Sequence, residues 1–461
     1  MSVKRYIPSD SRAPVDEVLP IGRLAALGMQ HVMVMYAGAV AVPLIISMAL
    51  NLPKEQTAFL ISLGLFVSGM ITLVQAVGIR WFGIKMPIMM GISFTGVGPM
   101  IAIGTNPDLG LAGIYGSMIV AGILGILLAP LMARLLRFFP PVVIGTEILV
   151  VGLALMGVSA NWASGGLGNP DFGSPKFIGM SFLVLAFILI ITKFSRGFVR
   201  NTAVLLGIMF GMLLSLSAGM VNFSAVEEAA WFGVVLPMQI AVPKFDFWAI
   251  VAMTIVMLVT FIEATGMFVA VGEMVGKPVD RKAMVNGFRA DGLGTLVGAI
   301  FNIFPYTSYA ENVGLVSITG VRSRWVCAMG GLILMVLGLF PKMSALIASI
   351  PPAVLGGAGL IMFGMITACG VRMLAQVDYV KNPFNAYIIA ISISVAMLPV
   401  INPQFFEQFP SQLAPLLKSS ILLAAITAVI LNIYFNIIGG AVKEKEKEKE
   451  KATLSGLEST Q

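Results

Sequence analysis

The sequence predicts an all-α polytopic membrane protein, with fourteen transmembrane spans in a 7+7 inverted repeat and spans 3 and 10 broken by short extended segments. Three observations lead there. Apolar stretches of membrane-crossing length recur along the chain, Lys and Arg gather in alternate connections, and two separate segments repeat at nearly one offset.

The first observation is compositional. Of the 461 residues 58% are hydrophobic and 11% charged, and the mean hydropathy is +0.96. That leaves too little polar surface to coat a water-soluble globule, so lipid must solvate the chain. The stretches are roughly 17 to 25 residues long, what a helix needs to cross about 30 Å of hydrocarbon. Spans are expected at 24–48, 57–77, 85–103, 111–133, 140–158, 177–193, 203–219, 247–271, 286–303, 305–320, 325–341, 350–371, 384–401 and 415–438. The chain then divides into a tail (1–23), a first seven-span repeat (24–219), a second (247–438) and a second tail (439–461). Met1 to Pro20 holds no apolar run resembling a cleavable signal, so the N-terminus is expected to stay in the cytoplasm.

The second observation is the placement of charge. Cytoplasmic loops concentrate Lys and Arg. One alternating set of connections, running from Lys4 to Lys381, holds nineteen of the 29; the other holds Lys54, Lys176, Lys244, Lys342 and Lys418, and five more lie between Lys443 and Lys451. This asymmetry puts both termini on the cytoplasmic face of a bacterial inner membrane. It also accounts for the net charge of +7 better than nucleic-acid binding does. The alternating Lys/Glu run at Lys443–Lys451 reads as solvated helix or disorder. Cys327 and Cys369, the only cysteines, lie in apolar runs and build no disulfide or metal framework.

The third observation is internal. Pro140-Pro141-Val142-Val143-Ile144-Gly145 returns as Pro351-Pro352-Ala353-Val354-Leu355-Gly356, and Phe94-Thr95 has a counterpart in Tyr306-Thr307. The offsets are 351 − 140 = 211 and 306 − 94 = 212. Because seven is odd, the second half enters the membrane upside down, which is the plan of secondary transporters. In such proteins the site forms where helices break, since free backbone groups can then face a cavity instead of lipid. The two expected breaks are Gly91-Ile92-Ser93-Phe94-Thr95-Gly96-Val97-Gly98-Pro99 and Pro305-Tyr306-Thr307-Ser308-Tyr309-Ala310-Glu311-Asn312-Val313-Gly314.

Ionisable groups inside lipid are costly and default to function. Glu263 lies deep in an apolar span and Glu311 at the second break. Burial disfavours the charged form of a carboxyl, which brings proton exchange toward neutral pH, and a carboxylate accepts paired N–H groups of a lactam edge. Asp291 is placed near a cytoplasmic helix end, where a cap or a pair with Arg289 competes with function. His31, about one turn into span 1, reads equally as a structural histidine or a proton relay. Glu147, within two turns of Pro140-Pro141, reads first as a partner of a helix N-terminus. Gly165-Gly166-Leu167-Gly168 follows no strand, so a nucleotide-binding loop is rejected. No nucleophile/base pair or metal-ligand cluster suggests an enzyme.

The segment Glu311-Asn312-Val313-Gly314-Leu315-Val316-Ser317-Ile318-Thr319-Gly320 resembles the signature of the nucleobase/ascorbate transporter family. Gln30-His31-Val32 to Pro43, Glu263, Ala290-Asp291-Gly292 and Pro351-Pro352 extend the resemblance over nearly the whole chain. Phe304-Pro305-Tyr306-Thr307 and Ser323-Arg324-Trp325-Val326 bring it nearest to bacterial uric acid and xanthine permeases. The resemblance implies a core domain of spans 1–4 and 8–11, a gate domain of spans 5–7 and 12–14, and frequent homodimers. It implies that Glu263 and Glu311 bind the base, that Phe94 and Ala310 offer backbone groups, and that Asn312 and Asp291 support affinity and the transport cycle. His31 matches a histidine that tunes the site, and Thr319 and Gly320 fall at selectivity positions. Two departures keep the substrate open. Purine members mostly carry Gln at the place of Glu311, and Glu is familiar from uracil carriers. Those carriers, however, tend to have Arg where this chain has Gly320 and His where it has Met267. The expected activity is proton-coupled uptake of xanthine or uric acid. The alternatives are a uracil:proton symporter and, from another class, an anion exchanger or channel of similar architecture. The expected partners are a nucleobase, the bilayer and a second copy, with no nucleic acid and no cofactor beyond H⁺; Na⁺ coupling stays open.

Overall fold

The computed structural model describes residues 14–438, so residues 1–13 of the first expected tail and the whole of the second, 439–461 with its Lys443–Lys451 run, lie outside the described residues. The chain is mostly helical, as lipid demands: a backbone without water must satisfy its N–H and C=O groups within its own segment. The helices are α1 (Ile21–Ala49), α2 (Lys54–Val77), α3 (Val97–Gly104), α4 (Gly110–Leu135), α5 (Pro141–Ala163), α6 (Pro175–Phe194), α7 (Ala203–Ser217), α8 (Phe247–Val275), α9 (Arg281–Ile300), α10 (Ala310–Thr319), α11 (Arg324–Gly338), α12 (Pro341–Ala348), α13 (Pro352–Leu374), α14 (Phe384–Ile401) and α15 (Ser420–Asn432). Two three-residue strands, β1 (Met90–Ile92) and β2 (Tyr306–Ser308), precede α3 and α10. Among the described residues nine helices are long and apolar enough to cross a membrane, or ten when α11 and α12 count as one bent span.

Proline marks many of the starts. Pro141, Pro175, Pro341 and Pro352 each open a helix, where a missing N–H costs nothing and a fixed φ is already helical. Three expectations are corrected. The connection expected between 341 and 350 is itself helical: α11 ends at Gly338, close to the expected end of its span, and α12 follows after an 83° bend. Helix α9 starts five residues earlier than expected, at Arg281, capped by the Asp280 side chain on the Ala283 N–H at 2.7 Å. Asp291 therefore lies in mid-helix and not near an end. His31 likewise sits ten residues into α1, nearly three turns deep.

The helices pack in two groups. α1, α2, α4, α8, α9 and α11 lie against one another around β1 and β2; α5, α6, α7, α13, α14 and α15 form the other group. Within the second group α5 and α13 make the most extensive contact. Gly145 lies against Leu374, Leu149 against Gly370, Gly152 against Thr367 and Ala163 against Gly356, so each step up one helix matches an equal step down the other. A knot at one face ties the first group together. Arg324 bonds Asp16 at 2.6 Å and donates to the Ala76 and Val77 carbonyls at 3.1 and 2.6 Å, capping the C-terminus of α2.

Candidate functional site

The site is built on the two breaks. β1 and β2 run antiparallel, with Met90 opposite Ser308, Gly91 opposite Thr307 and Ile92 opposite Tyr306. Flanking bonds lengthen the pairing: Ser93 N–H donates to the Pro305 carbonyl at 2.7 Å, and Tyr309 N–H to the Met89 carbonyl at 3.1 Å. Strands this short need outside support, and α2 supplies it. Thr72 Oγ1 accepts from the Met90 N–H at 2.9 Å, Ser68 donates to the Met90 carbonyl, and Tyr306 OH donates to the Gly64 carbonyl at 2.8 Å. Tyr309 closes the pair from the other side: its ring lies on Gly91, and its hydroxyl donates to the Ile92 carbonyl at 2.9 Å. A Cβ at position 91 would stand 2.3 Å from Tyr309 Cζ, so only glycine admits this contact.

Past the strands, α3 and α10 begin inside the protein. Helix starts expose unpaired N–H groups and a partial positive charge. A cavity of about 350 Å³ lies here, lined by Phe94, Glu263, Thr307, Ser308, Tyr309, Ala310 and Glu311 from one helix group and by Ile148, Val151, Met365, Cys369 and Arg372 from the other. Glu263 of α8 is fixed by Thr95, whose hydroxyl donates to Oε2 at 3.0 Å. Glu311 lies in the first turn of α10 and lines the cavity. Phe94 stands edge-on to Phe363, ring centroids 5.8 Å apart.

Of the residues singled out from sequence, Glu263, Glu311, Phe94 and Ala310 meet in this one cavity. The others stand behind it or away from it. Asn312 is fully buried and holds α1: its Nδ2 donates to the His31 carbonyl at 3.0 Å and lies 3.1 Å from His31 Nδ1. With Nδ1 accepting, the imidazole carries its proton on Nε2. Asp291 pairs with Gln75 of α2 at 3.2 Å and not with Arg289; Gln75 Oε1 in turn accepts from the Ile84 N–H at 3.0 Å. Thr319 bonds back to the Leu315 carbonyl at 2.8 Å, and Gly320 ends α10 with φ of 66°, so both terminate the helix and neither lines the cavity. Sequence reasoning passed over Thr95, Gln75, Cys369 and Arg372. Thr95 sat in an expected break and repeats as Thr307, the one signal that could have raised it.

A profile described as Permease family matches residues 22–405. The chain belongs to this family. It is the nucleobase/ascorbate transporter family that the Glu311–Gly320 segment resembles. The permease is 52% identical over 423 residues to the uric acid transporter UacT of Escherichia coli (strain K12), covering 92% of this chain and 88% of that one. It is 40% identical over 422 residues to the xanthine permease of Bacillus subtilis (strain 168), covering 92% and 96%. It shares its fold with the transmembrane domain of the cyanobacterial bicarbonate transporter BicA (TM-score 0.60, 16% identity, 91% and 99% covered). It also shares it with the murine Slc26a9 anion transporter in the inward-facing state (TM-score 0.61, 13% identity, 95% and 74% covered). The permease is thus a multi-pass membrane protein of a transporter family.

Proposed function

We propose that this permease takes up a purine base, xanthine or uric acid, with protons across the bacterial inner membrane by alternating access. One observation carries the reading: two carboxyls and the backbone at Phe94 and Ala310, just past the paired strands, converge on a single cavity of small-molecule size. A purine lactam edge offers N–H donors and carbonyl acceptors in one plane. Glu263 and Glu311 accept the N–H groups, the N–H groups at Phe94 and Ala310 donate to carbonyls, and Phe94 packs on the ring. His31, Asn312 and Asp291 hold these elements in place. Thr319 and Gly320 act on selectivity through the setting of α10. Relatives 52% and 40% identical that carry uric acid and xanthine support the substrate class.

The same reading takes the protein as fourteen spans in two inverted halves, both termini cytoplasmic, working as a homodimer. The antiparallel match of α5 with α13, which bear the Pro140 and Pro351 repeats, supports the inverted plan. On this reading the first helix group serves as the core and the second as the gate. Anion transporters share the fold, but a cavity with two carboxyls suits a base that donates hydrogen bonds better than bicarbonate. Competition of labelled xanthine uptake by purines and pyrimidines tests the substrate. Urate should compete and uracil should not, and the reverse order would establish the uracil symporter instead.

A further inference from the structure

Glu147 is the buried acid that the site above leaves unused. It lies in α5, fully buried, and neither carboxylate oxygen has a hydrogen-bond partner. A helix-capping role is ruled out by that isolation. Its helical neighbours show where it faces. Ile148 and Val151, one and four residues on, line the cavity, and Ile144, three residues back, lies against Gly266 of α8. Residues 144, 147, 148 and 151 form one stripe. In the fourteen-span plan α5 and α8 run in opposite directions. Three residues up α5 from Ile144 is Glu147, and three residues back along α8 from Gly266 is Glu263, so the two carboxyls stand level across the seam between the helix groups. They are near enough for Glu147 to feel the charge of Glu263.

The other neighbours of α5 offer nothing equivalent. α13 contributes Cys369 and Arg372 to the cavity edge, and α15 has no titratable side chain. Tyr387 of α14 and Lys176 and Lys193 of α6 are exposed.

We propose that Glu147 is a second proton-binding group of the transport cycle, exchanging one proton with Glu263 as core moves against gate. The proton leaves the Glu263 carboxylic acid and binds the Glu147 carboxylate; the negative charge passes the other way and the pair keeps its total. Two carboxylates at close range in a low-dielectric seam resist being ionised together, so each biases the other's proton. This rests on the proton-coupled reading and adds to it a group that never touches substrate.

The test uses full-length protein in liposomes carrying an internal pH dye, following xanthine uptake and the accompanying proton movement from pH 5.5 to 8.5. Glu147→Gln removes one of the two carboxyls that share the proton, leaving Glu263 to hold it alone. Its uptake should match wild type at acid pH and lose its alkaline limb about one pH unit earlier. Glu147→Asp, which keeps the carboxyl, should retain the wild-type limb. A Gln variant with an unshifted profile overturns the proposal while leaving proton coupling intact. An Asp variant shifted as far as Gln also overturns it, because packing is then responsible. If wild-type uptake moves no protons and ignores pH, the proton-coupled reading falls, and this proposal with it. Should Gln fail to insert, the Asp variant's profile alone decides.

Discussion

At the first break, Met90 to Thr95, the chain delivers only the aromatic Phe94 to the cavity wall; at the second, Tyr306 to Asn312, it delivers Thr307, Ser308, Tyr309, Ala310 and the carboxyl of Glu311. The backbone roles are reciprocal, since each strand completes the other and each leads into a half-helix. The side-chain roles are not. Thr95 reaches across to hold Glu263, whereas Glu311 faces the cavity itself and Asn312 turns back to hold His31. The two breaks thus supply matching scaffolding, and both acids of the cavity come from the second half of the chain. The first half aims what the second half supplies.

Gly91→Ala should strike the shared scaffold hardest. Its Cβ collides with the Tyr309 ring, and such overpacking costs about 1–3 kcal/mol in a rigid setting. Lower thermal stability in detergent together with lost uptake is expected; unchanged stability would mean that Tyr309 does not rest on this strand. Thr95→Ala tests the aiming role. Removing the donor from Glu263 should lower initial xanthine uptake about 10-fold, with Thr95→Ser restoring most of it. If Ala and wild type transport alike, the first half contributes backbone only.

The carboxyls were legible because an acid inside an apolar run has no cheap explanation, and the breaks because Gly91, Gly96, Pro99 and Pro305 interrupt helices visibly. Thr95 was not, because a hydroxyl in an apolar stretch carries little cost and its partner is 168 residues away. The cavity wall from the second helix group, Ile148, Val151, Cys369 and Arg372, looked like ordinary span residues; only tertiary packing turns them inward. The depth of Asp291 was misjudged by where α9 begins, and α12 was missed because Pro341-Lys342 reads as the end of a span and the start of a loop.

A smaller effect separates the two acids. Glu311→Gln keeps the shape and gains a donor while losing the ionisable proton. It should retain binding, flatten the pH dependence of uptake, and improve urate relative to xanthine by a few-fold, since an anionic base no longer meets a like charge. An unchanged urate-to-xanthine ratio would remove Glu311 from the discriminating contact. Smallest of all, Thr319→Ala should change uptake less than about 2-fold, because its hydroxyl only bonds back within α10. A larger loss would place the end of α10 in the transport cycle directly.

The most direct test of the central claim is equilibrium binding of labelled xanthine to purified protein and to Glu263→Gln. If the cavity at the paired breaks is the purine site, wild type binds xanthine and releases it to excess urate but not to bicarbonate. The variant, inserted and folded, should bind it at least about 10-fold more weakly, having lost the charge-assisted bonds of a buried carboxyl. Wild-type affinity in Glu263→Gln would contradict the account.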